Sequence, residues 1–355
     1  MNFDINYFKE IAHKIFNIDS PSGYSENINK VLIELLNELG YTATLTNKGN
    51  VALKVAGESS EKTVATSAHV DTLGLMVRSI NGDGTLNVTR IGGPQIATLD
   101  GEYCKIQTRF NQTYTGTILS NSASSHVYED SDKQRKENNV VVRIDEKVNS
   151  KKDVLDLGIQ NGDYIFIEPK FTITESGFIK SRFIDDKASV CVILSVLKYL
   201  KENNLKPAYD TFIYFVNHEE VGHGAATVDE NITEFVTVDM GCIGKDLAGN
   251  EYAVSIAAKD SGGPYDYELT TRLIKLAKEN NVSYVVDIFP YYGSDVGAAY
   301  RSGRDLKGAL IGQGVHASHG MERTHLDGCI NTIWYLQFHL VCDKLESSFG
   351  FFAIW

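Results

Sequence analysis

The sequence predicts an α/β fold interrupted near its middle by a small β-rich domain, and three observations carry that expectation. Apolar runs of strand length alternate with helical patterns in the first 71 residues and again after about residue 172. Between them helical periodicity is weak and short strand-like runs are separated by turns such as Asn81-Gly82-Asp83-Gly84. Finally, two of the outer strand-like runs end directly on His69 and Asp239, and a third is followed closely by Glu219 and Glu220. In open α/β sheets that edge is where ligands bind.

Met1–Ile15 mixes acidic, basic and apolar residues and reads as a helix, without the basic start and apolar stretch of a signal peptide. Asp19-Ser20-Pro21-Ser22-Gly23 is a turn, and Ser25 stands where it can cap a second helix. That helix places Ile28, Val31, Leu32, Leu35, Leu36 and Leu39 on one face and ends at Gly40. Tyr41–Val55 follows as two strands joined through Asn47-Lys48-Gly49-Asn50. Thr63–Ala68 is a further strand that emerges at His69. Residues two apart in extended backbone face the same way, so Asp71 can orient His69.

In the middle region, Met76–Ile80, Thr85–Ile91, Tyr103–Thr108, Tyr114–Ile118 and Val140–Ile144 are the strand candidates. Residues 122–139 are polar and charged, as in a loop. Gly177–Phe183 returns to the outer pattern and leads into Asp185-Asp186, at the entrance of a strongly apolar helix over Lys187–Leu200. Carboxylates at that position suit the positive end of a helix dipole, and they suit metal ligation equally well.

The segment Thr211–Val216 stops at Asn217-His218-Glu219-Glu220-Val221-Gly222. In a continuing strand Glu219 and Glu220 would face opposite sides, so a shared task requires a turn, which Gly222 and Gly224 permit. Two like charges so close are costly unless a proton or cation neutralises them, which suggests one metal ligand and one base. Phe235–Val238 ends at Asp239. Tyr252–Ala257, the helix Tyr265–Asn280, Ser283–Ile288 and Gly293-Ser294-Asp295, which opens another helix, come next. Lys307–Ile311 precedes a loop over Gly312–Gly320 that carries His316 and His319, with His325 just beyond. A final helix spans Leu326–Leu345. His69, His319, Asp185, Asp239 and one of the pair Glu219 and Glu220, two imidazoles and three carboxylates, match the ligand set of a two-metal site in which one carboxylate bridges. His316 offers a competing imidazole.

Composition narrows the function classes. With 43% hydrophobic residues in 355, the chain can bury a large core, and its net charge of −12 without a basic run argues against nucleic acid or anionic membrane as partner. The five cysteines, Cys104, Cys191, Cys242, Cys329 and Cys342, are widely spaced and indicate neither a disulfide framework nor a cysteine-zinc knuckle. No apolar run reaches the ~20 residues of a spanning helix; the longest candidates are Ala188–Leu197 and the tail Phe349–Trp355. A soluble cytoplasmic enzyme is expected.

The chain resembles the tetrahedral, glutamyl aminopeptidase-like family of dinuclear metallopeptidases over nearly its whole length. The resemblance rests on Pro21-Ser22-Gly23, His69-Val70-Asp71, Gly92-Gly93, Asp185-Asp186, Glu219-Glu220-Val221-Gly222, Asp239, Gly293-Ser294-Asp295 and the run from Ser318 to His325. It implies a mixed-sheet, zinc-exopeptidase-like catalytic domain (residues 1–71 and 172–355) with an inserted PDZ-like dimerisation domain (72–171). It implies His69 and Asp239 on one metal, Glu220 and His319 on the other, Asp185 bridging, Glu219 as general base and Asp71 orienting His69. It also implies a cis peptide between Asp185 and Asp186, divalent ions such as zinc, cobalt or manganese, peptide substrates with a free N-terminus, and assembly of dimers into a hollow dodecamer. A deacylase or carboxypeptidase of related fold and an inactive peptide-binding scaffold are the alternatives, together with a glycoside hydrolase, which would leave the histidines without a role.

Overall fold

The computed structural model describes residues 4–342. The expected starts and ends at Met1–Phe3, the last turn toward Leu345 and the apolar tail Phe349–Trp355 lie outside the described residues. The first helix runs Ile5–Phe16, with Asp4 at its start accepting from the Tyr7 amide at 3.0 Å. The second runs Glu26–Glu38. Ser25 occupies the capping position but makes no capping bond; its hydroxyl instead receives Asn29 Nδ2 at 3.4 Å.

The main sheet is mixed. Four parallel strands form its centre in the order Tyr209–Val216, Ser59–His69, Ile232–Val238 and Lys307–Val315. Val51–Val55 pairs antiparallel on one side and Val254–Asp260 antiparallel on the other. The central strands are buried on both faces, which is why they read as apolar runs without alternation. On one face lie Ile5–Phe16, the Ile184–Glu202 helix and Leu326–Cys342, whose buried side chains form the largest core cluster with Val236, Val238, Ile213 and Phe215 of the sheet. The Ile184–Glu202 helix is buried almost all round as far as Leu197, matching the mostly apolar run Ala188–Leu197.

Register places the site. Val216 pairs with His69, and Val238 with Ile311, so the chain leaves the sheet at His69, Asn217 and Asp239 along one edge. The Lys307 strand differs from expectation: it continues through Gly312, Gln313 and Gly314 to Val315 where the sequence suggested a loop. Glycine serves close approach here, since a Cβ on Gly312 would lie 1.9 Å from the Asp239 carbonyl oxygen and one on Gly314 2.0 Å from that of Asn250. Gly312→Ala is therefore expected to destabilise the chain by about 1–3 kcal/mol through overpacking against the Asp239 backbone. A denaturant midpoint equal to that of the parent chain would contradict this.

The intervening residues form a closed barrel of six strands, in the order Gly74–Ile80, Leu86–Ile91, Val140–Ile144, Thr113–Ser120, Tyr103–Gln107 and Tyr164–Ile167. Leu75, Val77, Leu86, Val88, Ile106, Ile118, Val142 and Ile165 fill it as a core of its own. The closing strand Tyr164–Ile167 and the short helix Lys151–Asp156 have no counterpart in the sequence reading. Both are too short for a periodic pattern to stand out.

Candidate active site

His69 ends its strand at 1% exposure, and the carbonyl of Asp71 fixes its ring: His69 Nδ1 donates to that oxygen at 2.9 Å. A carbonyl only accepts, so Nδ1 keeps its proton and Nε2 is the nitrogen presented to the site. Asp185 Oδ1 lies 3.0 Å from that Nε2. His319 is arranged the same way. Its Nδ1 donates to the Gly93 carbonyl at 3.0 Å, and its Nε2 lies 3.6 Å from both Asp185 Oδ2 and Glu220 Oε2. Asp185 thus turns one oxygen toward each imidazole.

The backbone around these groups is specialised. The Asp185-Asp186 peptide is cis, as the resemblance implied, and Asp186 Oδ2 accepts from the His69 amide at 3.2 Å. The turn after Val216 is made by His218 and Gly222, at φ of 70° and 84°. Gly224 differs from expectation, because it serves contact and not the turn: a Cβ there would meet Val216 at 2.4 Å and Asp295 Oδ1 at 2.5 Å.

Asp71 also departs from the expected arrangement. Its carboxylate stands 3.7 Å from His69 Nδ1, beyond hydrogen-bond reach, and the orienting contact passes through its main chain. The carboxylate accepts instead from the amides of Glu219 at 3.1 Å and Glu220 at 3.3 Å and from Ser22 Oγ at 2.5 Å. A buried charge therefore holds the glutamate loop against the Pro21-Ser22-Gly23 turn.

Two further groups were not singled out from the sequence. Glu322, 1% exposed, accepts from the amides of Asp185 and His319, both at 3.0 Å, and so ties the two segments together. Asp295 accepts from the Ala225 amide at 2.9 Å and from Ser67 Oγ at 3.2 Å beneath the glutamate loop. Only their place within motifs hinted at either, since a carboxylate that holds backbone amides leaves no periodic mark. Of the two other histidines near this loop, His316 is exposed and its backbone bridges to Arg323, and His325 Nε2 donates to the Ser176 carbonyl at 2.8 Å. Neither joins the cluster.

Electrostatics show what the cluster lacks. Burial, then the neighbouring Asp185 charge, pushes Glu220 up to about 8 and Asp239 up to about 7. Burial raises Glu219 well above the carboxylate range despite the opposing pull of His69. Burial would lower His69 and His319, but Asp185 and the surrounding carboxylates outweigh it, and His319 rises to about 10. Glu220 Oε1 is buried without a hydrogen-bond partner. Ligand atoms of His69, Asp185 and Glu220, and separately of His69, Asp186 and Asp239, lie within 4.8 Å of one another. Converging acidic oxygens, two imidazole nitrogens and an unpartnered carboxylate atom fit divalent cations, which would relieve the repulsion that otherwise keeps these groups protonated.

The site opens into a cleft of about 460 Å³, lined by Asp185, Glu219, Glu220, Asp239 and His319 together with Tyr292, Ser294 and others. The family model of the M42 glutamyl aminopeptidases matches residues 49–334. The chain belongs to that family. “Putative aminopeptidase YhfE” of Bacillus subtilis is 40% identical over 93% of this chain and 96% of its own length. Among solved structures, the TET aminopeptidase of a marine-sediment thaumarchaeote superposes with a TM-score of 0.86 at 18% identity, covering 96% of this chain and 98% of the other. The Pyrococcus horikoshii TET1 peptidase, described as able to assemble into a tetrahedron or a large octahedral shell, does so with a TM-score of 0.80 at 21% identity, covering 93% and 98%. This M42 chain is accordingly a hydrolase of peptide bonds, on a fold shared with the TET aminopeptidases.

Proposed function

We propose that this chain removes N-terminal residues from peptides at a two-metal centre, with Glu219 as general base. The observation that carries the proposal is the splay of the Asp185 carboxylate, with one oxygen toward His69 Nε2 and the other toward His319 Nε2. His69 and Asp239 would hold one divalent ion and Glu220 and His319 the other, with Asp185 shared; zinc, cobalt and manganese all suit this donor set. Such ions, when bound, lower the pKa of water toward neutrality and polarise a carbonyl oxygen.

The protein's own part follows from its geometry. Glu219 Oε2 stands 3.8 Å from His69 Nε2 at the mouth of the cluster. With the neighbouring charges balanced by cations, its ionised carboxylate would take the proton of the attacking water and later deliver it to the leaving amine. Asp71 fixes the loop carrying that carboxylate, and Glu322 fixes Asp185 and His319 relative to each other. Membership of the glutamyl aminopeptidase family and the likeness to aminopeptidases support a free α-amine as the recognised end.

The division into a catalytic domain (1–71 and 172–355) and an insert (72–171) is part of this reading. So are self-association through the barrel into a dodecamer and a cytoplasmic location. Among the described residues no helix is long and apolar enough to cross a membrane.

The test is a mass-spectrometric time course on a mixed peptide pool, half with free and half with acetylated N-termini, with chelator and metal add-back. Stepwise loss from free N-termini only, stopped by chelator and restored by metal, is expected. Cleavage of the acetylated half would replace the proposal with the deacylase reading.

A further inference from the structure

Ser294 lines the cleft at the start of the Asp295–Arg301 helix, in the capping position, yet its side chain makes no capping bond. Its hydroxyl lies instead 2.8 Å from the Tyr265 phenol, and the phenol lies 2.9 Å from Asp260 Oδ2. All three residues are buried. The other Asp260 oxygen accepts from the Gly262 amide at 2.7 Å.

The protons in this chain can be counted. An Asp260 carboxylate only accepts, so the single phenolic proton of Tyr265 is committed to it. Tyr265 is then left with lone pairs alone for Ser294, and the serine hydroxyl must donate. Burial and the adjacent Asp260 charge oppose ionisation of the phenol, which keeps that direction fixed. With its one proton used, Ser294 Oγ has only lone pairs to offer the cleft.

We propose that Ser294 is an acceptor-only contact that receives an N–H donor from the first residue of the bound peptide. The donor is either the α-amine or an amino group on that residue's side chain, and both share the chemistry the oxygen can read. A group presenting only acceptors at this point would meet lone pairs with lone pairs and leave the serine oxygen unsatisfied. Tyr265 and Asp260 are positioning residues in this scheme, since they set the direction of a proton without touching the peptide. The proposal rests on the aminopeptidase reading for its choice of ligand, but its test measures binding.

The experiment is calorimetric titration of the metal-reconstituted full chain with leucinol, lysinol and 4-methylpentan-1-ol, which lacks the amine. Ser294→Ala, Ser294→Thr and Tyr265→Phe are compared with the parent. Loss of a hydrogen bond to a charged donor predicts affinity about 10-fold weaker in Ser294→Ala, with restoration in Ser294→Thr, which keeps the oxygen. Tyr265→Phe, which frees the serine to donate, should narrow the preference over 4-methylpentan-1-ol of whichever amine weakens in Ser294→Ala. If the α-amine is the donor, leucinol and lysinol weaken together; if the side chain is, lysinol alone weakens. Equal affinities of the parent and Ser294→Ala for both amines would overturn the proposal, as would a loss that Ser294→Thr does not restore. Absence of hydrolysis alongside Ser294-dependent amine binding would count against the aminopeptidase reading and leave this contact standing.

Discussion

Glu219→Gln is expected to lower kcat by a factor on the order of 10²–10⁴, the range supplied by a positioned general base, while metal content remains that of the parent. Glutamine keeps the size and the amide anchored to Asp71, which accepts from the Glu219 backbone at 3.1 Å, so the loop should hold its shape. What it cannot do is take a proton. KM should move little, because the side chain is assigned to proton transfer and not to holding the ground state. Metal analysis of the purified variant beside a single-turnover rate decides the matter. A turnover rate within a few-fold of the parent would remove Glu219 from the base role, whereas lost metal would make it a ligand.

Asp185→Ala should have the opposite signature, with metal content and activity falling together. The two oxygens of this residue face different histidines, at 3.0 and 3.6 Å, and no other carboxylate among the described residues is recorded within 4 Å of both imidazoles. On the proposed assignment its removal would leave His69 with Asp239 and His319 with Glu220 as two incomplete pairs. We expect fewer than two bound ions per chain and a rate lower by at least ~10³-fold, since an activated water depends on them. Glu322 accepts from the backbone amide of residue 185, a contact that survives the change, so circular dichroism should report an intact fold. Two tightly held ions in the variant would show that Asp185 does not bridge.

Much of this site was legible in sequence because its residues follow strands. An apolar run that stops abruptly at His69, Asn217 or Asp239 announces both the strand and the sheet edge, and parallel pairing brings those edges together, with Glu219 just beyond the second. Asp185 was legible from its place before an apolar helix. His319 is separable from His316 only through the run from Ser318 to His325 that carries the resemblance, and one contact within that run ties it to the site: Glu322 accepts from the His319 amide.

The misreadings have physical causes. The Gly312–Val315 strand was taken for a loop because glycine signals turns as well as close backbone contacts, and the approach of Asp239 belongs to tertiary structure. Asp71 was given the wrong contact because an alternation argument fixes which face a side chain takes and says nothing of a competing backbone carbonyl. The closing strand of the barrel escaped because four residues carry too few alternations to be distinguished from a buried turn.

The bond from His319 Nδ1 to the Gly93 carbonyl crosses from the main sheet's loops to the arm that joins the barrel strands Leu86–Ile91 and Tyr103–Gln107, where the Gln95 amide also donates to the His319 carbonyl at 2.9 Å. The barrel is therefore not a portable module. A chimera that borrowed a relative's barrel would have to import the Gly92–Gln95 arm in exact register with the host's imidazole. A graft that preserved only the hydrophobic interior would yield a folded protein with one slack imidazole.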